Sequence, residues 1–446
     1  MRHHSQRPSS SRTRPRGFLA AWAQLLAPEA VPIVPRRRGR RPQIPLTQIL
    51  AALTFHVMQD VGTLREHFTE LFGHPLADSS WSDRRTRLPW DIFAELLRRV
   101  LQPKATRRRH PDAFWRGWRL VALDGTQFSL ANTPQVLARR PKPRTRRGRA
   151  AFAKLPTTVL IEVGLHNPVA AAVGRDGESE WALALELLPQ LPGQALLLAD
   201  RLYGCAAFAQ HAVAACARVG SHLLVRARTS VKAVVTASLA DGSRLIRVPV
   251  RAADRPHHVA AWLDLREIRV QVGRPGQPAH TLRLWTTLCD PTTAPARELA
   301  QLYARRWEHE LYFRSLKRQL RKTALLQSHT VDTAAQEVAA CVIASAILAG
   351  ERAAVAGAEV PPLRISFAKV LRVVQALWLT IDLGAGILSE QQIQQILRRG
   401  QAHVRTQLSA PRRSRSCPRK VRQPITGWPR LLHNESIEGP IHVTVL

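Results

Sequence analysis

The chain has 446 residues, 45% of them hydrophobic, which suffices for a sizeable core and roughly two to four domains and excludes a small scaffold or a wholly disordered chain. Its formal net charge of +34, from 66 basic against 32 acidic side chains, excludes an ordinary near-neutral cytosolic enzyme and points to a polyanionic partner such as nucleic acid. Five cysteines (Cys205, Cys216, Cys289, Cys341 and Cys417) contain no CxxC pair, so neither a zinc site nor a disulfide framework follows and reduced thiols are the default.

In chain order, residues 1–16 read MRHHSQRPSSSRTRPR, a disordered basic tail suited at most to gripping phosphates without reading bases. No apolar stretch stands close behind it, so it is not a signal peptide. A second basic run, Arg36 to Arg41, precedes a helical region. Leu46 to Gln59 reads as a helix. Thr63-Leu-Arg-Glu66 is a capping box opening a second, closed by Gly73 and Pro75. Ser80-Trp-Ser-Asp83 begins a third, and Trp90 to Leu101 is a fourth. The short turn between the first two fits a helix-turn-helix unit with Arg84, Arg85 and Arg87 as its DNA face, or a plain helical bundle with a solvated basic face.

From Trp115 the pattern turns to strands. Arg119–Asp124, Leu155–Gly164, Pro168–Val173, Gln194–Asp200 and His222–Arg228 are strand-like; Glu180–Leu188 and Cys205–Val219 are helical. Strands first, then strand–helix alternation, suits an α/β fold of the RNase H type. Arg139 to Arg149 is too charged to pack and reads as a loop, either ordered on DNA or merely solvated. Between residues 229 and 295, Arg244–Arg251, Leu265–Val272 and Thr281–Leu288 alternate apolar and polar, as half-buried antiparallel strands do, with Gly242, Gly273 and Gly276 at turns. From Thr293 to Leu348 neither Pro nor Gly occurs except Pro295, so helix is expected there. The apolar stretch Val338–Gly350 is too short and Ala-rich to span a bilayer. Pro361-Pro362 marks a boundary, Leu363–Leu379 and Gln391–Arg399 read as helices, and residues 405–446 are again basic and poor in regular pattern.

Chemistry concentrates at three acids. Leu120–Leu123 is an apolar run ending in Asp124-Gly-Thr, and Ala195–Ala199 is another ending in Asp200; each reads as a buried strand delivering a carboxylate at its C-terminal edge. Taken singly, either Asp is as readily a turn former or helix cap. The third acid lies in Tyr303–Lys317, YARRWEHELYFRSLK. There Tyr303, Arg306, Glu310 and Lys317 stand at offsets 0, 3, 7 and 14, within about 60° of one another on a helix of 3.6 residues per turn. A solvated face with i,i+4 ion pairs is the plain alternative. Together with the two strand-end acids, the stripe suits a divalent metal site facing phosphate, since hard cations take oxygen ligands and leave positions open for substrate.

On these residues the chain resembles bacterial insertion-sequence transposases of the DDE type, the family marked by a Y-x2-R-x3-E-x6-K signature around its third acid. Tyr303, Arg306, Glu310 and Lys317 match the signature without a gap, and Asp124 in LDGT and Asp200 in LADRLYG match the other acidic motifs. The resemblance covers roughly Phe18 to Gly350. It implies an RNase H-like core in two parts, residues 111–228 and 297–350, split by a β-rich insertion at 229–296. It also implies an N-terminal helical domain at 17–110 that binds the element's ends, with a helical C-terminal region and basic tail at 351–446. The insertion accounts for the 110 residues between Asp200 and Glu310.

Carried over residue by residue, the resemblance makes Asp124 the bridge between two Mg²⁺ ions, for which Mn²⁺ can substitute, with Asp200 and Glu310 each completing one. Tyr303, Arg306 and Lys317 would hold the phosphate on the 5′ side of the cleavage point. Trp307 would stack on a base drawn from the duplex end or else pack in the core; Arg201 and Tyr203 would touch phosphate or pack; His309 reads as a helix-face residue rather than a ligand. The expected activity is DNA transposition: cleavage at the element's ends and joining of the freed 3′-OH to target DNA. Double-stranded DNA is the partner, a homodimer holds the two ends, no membrane is involved, and the work is done at the bacterial nucleoid in the cytoplasm. A metal-dependent nuclease with the same core and a non-catalytic DNA-binding relic are the rivals.

Overall fold

The computed structural model describes residues 44–410, apart from 74–76, 146–147, 253, 256, 274–278, 322, 324, 358 and 385, together with the strand His442–Val445. The basic tail at 1–16, the run Arg36–Arg41 and the turn at Gly276 lie outside the described residues.

Four helices come first: α1 (Leu46–His56), α2 (Leu64–Phe72), α3 (Asp78–Thr86) and α4 (Trp90–Val100). The expected capping box opens α2: the Glu66 N–H donates to Thr63 Oγ1, and the Thr63 N–H donates to Glu66 Oε2 at 2.7 Å. Gly73, at φ 67°, closes the helix in the left-handed conformation. These helices do not keep a core of their own. Phe55, Phe68, Phe93 and Leu97 share one buried cluster with Leu120, Val159 and Val338. Arg85, expected on a DNA-facing surface with Arg84 and Arg87, is turned inward instead. Its Nη2 donates to the Thr333 carbonyl at 2.8 Å and to Ser328 Oγ at 3.2 Å. Packing of α3 against the later helices leaves buried acceptors that only a long cationic side chain reaches.

The chain then builds β1 (Phe114–Trp115), β2 (Trp118–Ser129), a short helix α5 (Pro134–Arg139), the two-residue strands β3 (Arg144–Thr145) and β4 (Gly148–Arg149), β5 (Lys154–Glu162), β6 (Asn167–Val173), α6 (Glu180–Leu187), β7 (Ala195–Ala199), α7 (Ala206–Arg218) and β8 (His222–Arg226). The basic loop is thus partly built: Arg139 ion-pairs with both Asp176 and Asp332. The sheet runs β6-β5-β2-β7-β8, with β5 antiparallel to its two neighbours β2 and β6, and with β7 and β8 parallel to β2. That order is an RNase H-like core.

Strands β9 (Val234–Ser238), β10 (Arg244–Arg251), β11 (Val259–Gly273) and β12 (His280–Thr286) follow. The insertion interrupts the core in sequence but not in space. β12 pairs antiparallel with β8, and β11, β10 and β9 extend the same sheet outward. From the C-terminal stretch read as patternless, β13 (His442–Val445) returns to pair with β11.

The helices α8 (Ala296–Tyr303), α9 (Trp307–Ser315), α10 (Val331–Val355), α11 (Phe367–Leu383) and α12 (Glu390–Thr406) complete the order. The run after Pro295 is not one helix: helical backbone stops after Leu320 and restarts behind the Thr330–Thr333 capping box. α10 has 25 residues, so by length and composition it is long and apolar enough to cross a membrane, contrary to the sequence estimate; Gly350 does not end it. It is nonetheless the central core helix, with Val338, Cys341, Val342 and Ala344 wholly inaccessible. Helices cover both faces of the sheet. Leu120 and Ala122 enter the cluster under α9 and α10, whereas Val121 and Leu123 enter the one under α6 and α7, as the two-residue strand period requires.

Candidate active site

Parallel pairing between β2 and β7 ends at Leu123 opposite Ala199, so Asp124 and Asp200 each stand one residue past the last pair. β2 itself does not stop at Asp124, as its sequence predicted; it continues to Ser129 against β5, with Asp124 opposite Val159. Asp124 keeps the parity of Leu120 and Ala122, and Asp200 that of Leu196 and Leu198. All four apolar residues belong to the cluster shared with Tyr312 on α9. Both carboxylates therefore lean toward the face on which α9 packs.

Between α8 and α9 the backbone passes through one 3₁₀ turn, Ala304–Arg306. At three residues per turn, positions i and i+3 eclipse, which sets Arg306 directly above Tyr303. Tyr303 is buried and its hydroxyl donates to the Ala199 carbonyl at 3.2 Å, fastening the helix to the end of β7. Arg306 reaches Asp124 Oδ2 at 3.3 Å with Nη1 and Glu310 Oε1 at 3.0 Å with Nη2. One guanidinium thus bridges an acid from the sheet and an acid from the helix. After α9 a π turn, Leu316–Leu320, re-aims the chain. Lys317 Nζ donates to Thr126 Oγ1 at 2.5 Å and to the Gln127 carbonyl at 2.8 Å. Three of the four stripe residues (Tyr303, Arg306 and Lys317) are bonded to the β2–β7 edge, and Arg306 ties in the fourth, Glu310.

The electrostatics follow from this crowding. Burial, then the charge of Asp200, pushes the Asp124 carboxyl up from 3.8 to about 7; Arg306 and the Gly125 N–H pull the other way. Burial, then Arg321 and Lys154, lowers Lys317 to about 8. The site holds acids that repel one another, two of them bridged by Arg306, with Lys317 bonded to the same strand beyond Asp124.

The remaining predicted residues divide. Trp307 is 45% exposed, which does not fit a core-packing ring. Arg201 is exposed in the turn after Asp200, and that turn is held by Arg228, which donates to the Arg201 and Leu202 carbonyls. Tyr203, read as a candidate phosphate contact, is fully enclosed and donates its hydroxyl to Glu180 Oε1 at 2.9 Å. Burial and the neighbouring carboxylate push that phenol far up. His309 faces inward rather than along the helix surface: it is wholly buried, hydrogen-bonded to the Val159 carbonyl at 2.8 Å, and lowered by burial to about 3. A neutral ring there pins α9 to β5. In sequence, Glu180 reads only as the start of a helix. Nothing in its sequence neighbourhood marks it, because its closeness to Asp124 comes from packing between α6 and β2.

The donor chemistry fits a hard divalent cation. Asp124, Asp200 and Glu310 offer carboxylate oxygens, and the mutual repulsion of the first two is what such an ion relieves. Among the described residues no three His, Cys, Asp or Glu side chains stand close enough to form a ready-made cage. Arg306, between Asp124 and Glu310, is the side chain that separates them.

A family model described as the transposase DDE domain matches residues 115–347 of this chain, which contain all three acids and the whole stripe. Transposase InsG for insertion sequence element IS4 of Escherichia coli K12 is 25% identical over 252 residues, 55% of this chain and 55% of its own. The chain therefore spans about half the length of that relative. InsZ of the same organism is 27% identical over 129 residues, 29% of this chain and 43% of its own. Among solved structures, the piggyBac transposase synaptic complex with hairpin DNA is 9% identical with a TM-score of 0.47, covering 92% of this chain and 90% of that one.

Proposed function

Because this chain belongs to the transposase DDE domain family of bacterial insertion sequences, we propose that it is a DNA transposase that cleaves at the ends of its own mobile element and joins the freed 3′-OH ends to target DNA. The observation that supports the reading is Arg306 bridging Asp124 and Glu310 at the end of two parallel strands, with Asp200 at the matching position on the second strand. The net charge of +34 supports a nucleic-acid partner. Two element ends must be held together, so the working form is a homodimer on double-stranded DNA.

Asp124, Asp200 and Glu310 would hold two Mg²⁺ ions, or Mn²⁺ in their place. The ions, when bound, supply activation of the attacking oxygen and stabilisation of the leaving one in an in-line phosphoryl transfer. The chain's own groups do the rest. Arg306 moves from the carboxylates to the scissile phosphate as DNA enters, and Lys317, bonded to β2 two and three residues beyond Asp124, grips the same backbone. Tyr303 keeps the helix seated on Ala199 while this happens. Trp307, exposed beside Arg306, stacks on a base drawn from the duplex end. Arg201, exposed after the second acid, adds a phosphate contact, while Tyr203 serves from beneath through Glu180.

The test uses the full chain with a supercoiled plasmid carrying the inverted repeats that flank its coding region. In Mg²⁺ or Mn²⁺ the protein should cut at the repeats and yield joined products. Asp124→Ala, Asp200→Ala and Glu310→Ala should each abolish both steps while end binding persists in a mobility-shift assay. Wild-type cleavage by any of the three variants would overturn the triad, and equal cutting of plasmid without repeats would favour a plain nuclease.

A further inference from the structure

The glycine after the first acid is explained by a residue 55 positions later. Gly125 keeps the parity of Val121 and Leu123, so its missing side chain would point to the face covered by α6 and α7, opposite to Asp124. On that face stands Glu180, the first residue of α6, capped by Ser179. A Cβ on Gly125 would overlap the Glu180 carboxyl carbon, Cγ and Oε1 together. The glycine is thus a window through which a carboxylate from the far side of the sheet reaches the β2–β7 edge. Its Oε1 accepts the hydroxyl of Tyr203, which is fully enclosed and lies three residues after Asp200. Glu180 therefore ties together the two segments that carry Asp124 and Asp200, and it adds a negative charge beside both.

We propose that Glu180 is a fourth carboxylate of the site, a positioning residue that fixes the Asp124 and Asp200 segments and strengthens their hold on divalent metal from behind the sheet. The proposal rests on the metal reading of Asp124 and Asp200 above. A purely structural role predicts that an isosteric neutral side chain, still able to accept from Tyr203, does no harm. A role through charge and alignment predicts that it does, since groups that orient and tune ligands without touching the ion are typically worth about 10- to 100-fold in metal affinity.

The experiment measures Mn²⁺ binding to the full chain without DNA, by calorimetry and by electron paramagnetic resonance, alongside thermal melts. Glu180→Gln should weaken Mn²⁺ binding about 10-fold or more with little change in melting temperature, and Glu180→Asp should restore part of it. Gly125→Ala, which keeps every acid but pushes Glu180 aside, should weaken it as well. Wild-type Mn²⁺ affinity in both Glu180→Gln and Gly125→Ala, while Asp124→Asn loses binding, would overturn the role of Glu180 and leave the metal site standing. Wild-type affinity in Asp124→Asn would bring down the metal reading, and this proposal with it.

Discussion

Replacing Asp124 with Asn should make the metal-free protein more stable while abolishing its chemistry. Asp124 is 14% exposed and its carboxyl is pushed from 3.8 to about 7, by burial first and then by Asp200, with the attraction of Arg306 already included. At 1.36 kcal/mol per pH unit that rise corresponds to a destabilisation on the order of 4 kcal/mol once the group is ionised in the folded state. Below about pH 4 the carboxyl is protonated folded or unfolded and contributes nothing. Between pH 4 and 7 the unfolded chain releases the proton that the folded chain retains, so stability falls as pH rises; above 7 the loss is complete. The amide in the Asp124→Asn variant has no such proton to release. In chelator, the variant's advantage in urea unfolding should therefore be small at pH 4.5 and reach several kcal/mol at pH 8. Divalent metal should narrow the gap by stabilising only the wild type. An advantage that stays constant across this range, or a wild type that is the more stable at pH 8, would refute the account and mean that Arg306 fully offsets the buried charge.

Lys317→Ala should raise the barrier to cleavage by about 2–4 kcal/mol, as loss of one cationic contact to a transferring phosphoryl does, while Mn²⁺ binding stays normal; single-turnover kinetics beside calorimetry would separate the two. Trp307→Ala should hurt most on fully paired ends and least on substrates whose end base is already unpaired. An equal defect on both substrates with a lowered melting temperature would return the ring to a packing role. Arg85→Ala strips the donor from the Thr333 carbonyl and Ser328 Oγ and should destabilise the protein by about 2–4 kcal/mol. Because the N-terminal helices share their core with α10, denaturant unfolding of that variant should remain a single transition, and early release of α1–α4 would contradict the shared cluster.

Local signals in the chain determined what depends on short-range geometry. Thr63 and Glu66 announce a capping box because both partners lie within one turn. Apolar runs ending in Asp124 and Asp200 announce buried strands delivering acids, and Arg244–Arg251 alternates as its one-sided burial demands. Between Tyr303 and Lys317 a 3₁₀ turn and a π turn replace the ideal helix on which the stripe's offsets are counted, and Tyr303, Arg306 and Lys317 each bond to the β2–β7 edge. Tertiary structure alone decided which element meets which. Sequence periodicity says that a strand is half-buried but not what it pairs with, so the insertion's place as an extension of the core sheet is not legible there. A guanidinium in a basic cluster looks solvent-facing until the helix beneath it supplies buried acceptors, which is why sequence alone misplaces Arg85. Tyr203 and Glu180 sit 23 residues apart, in the loop after β7 and on α6, and Gly125 lies a further 55 residues before Glu180. Their contact depends on the packing of a helix across two strands, a long-range relation that no window of neighbouring residues encodes.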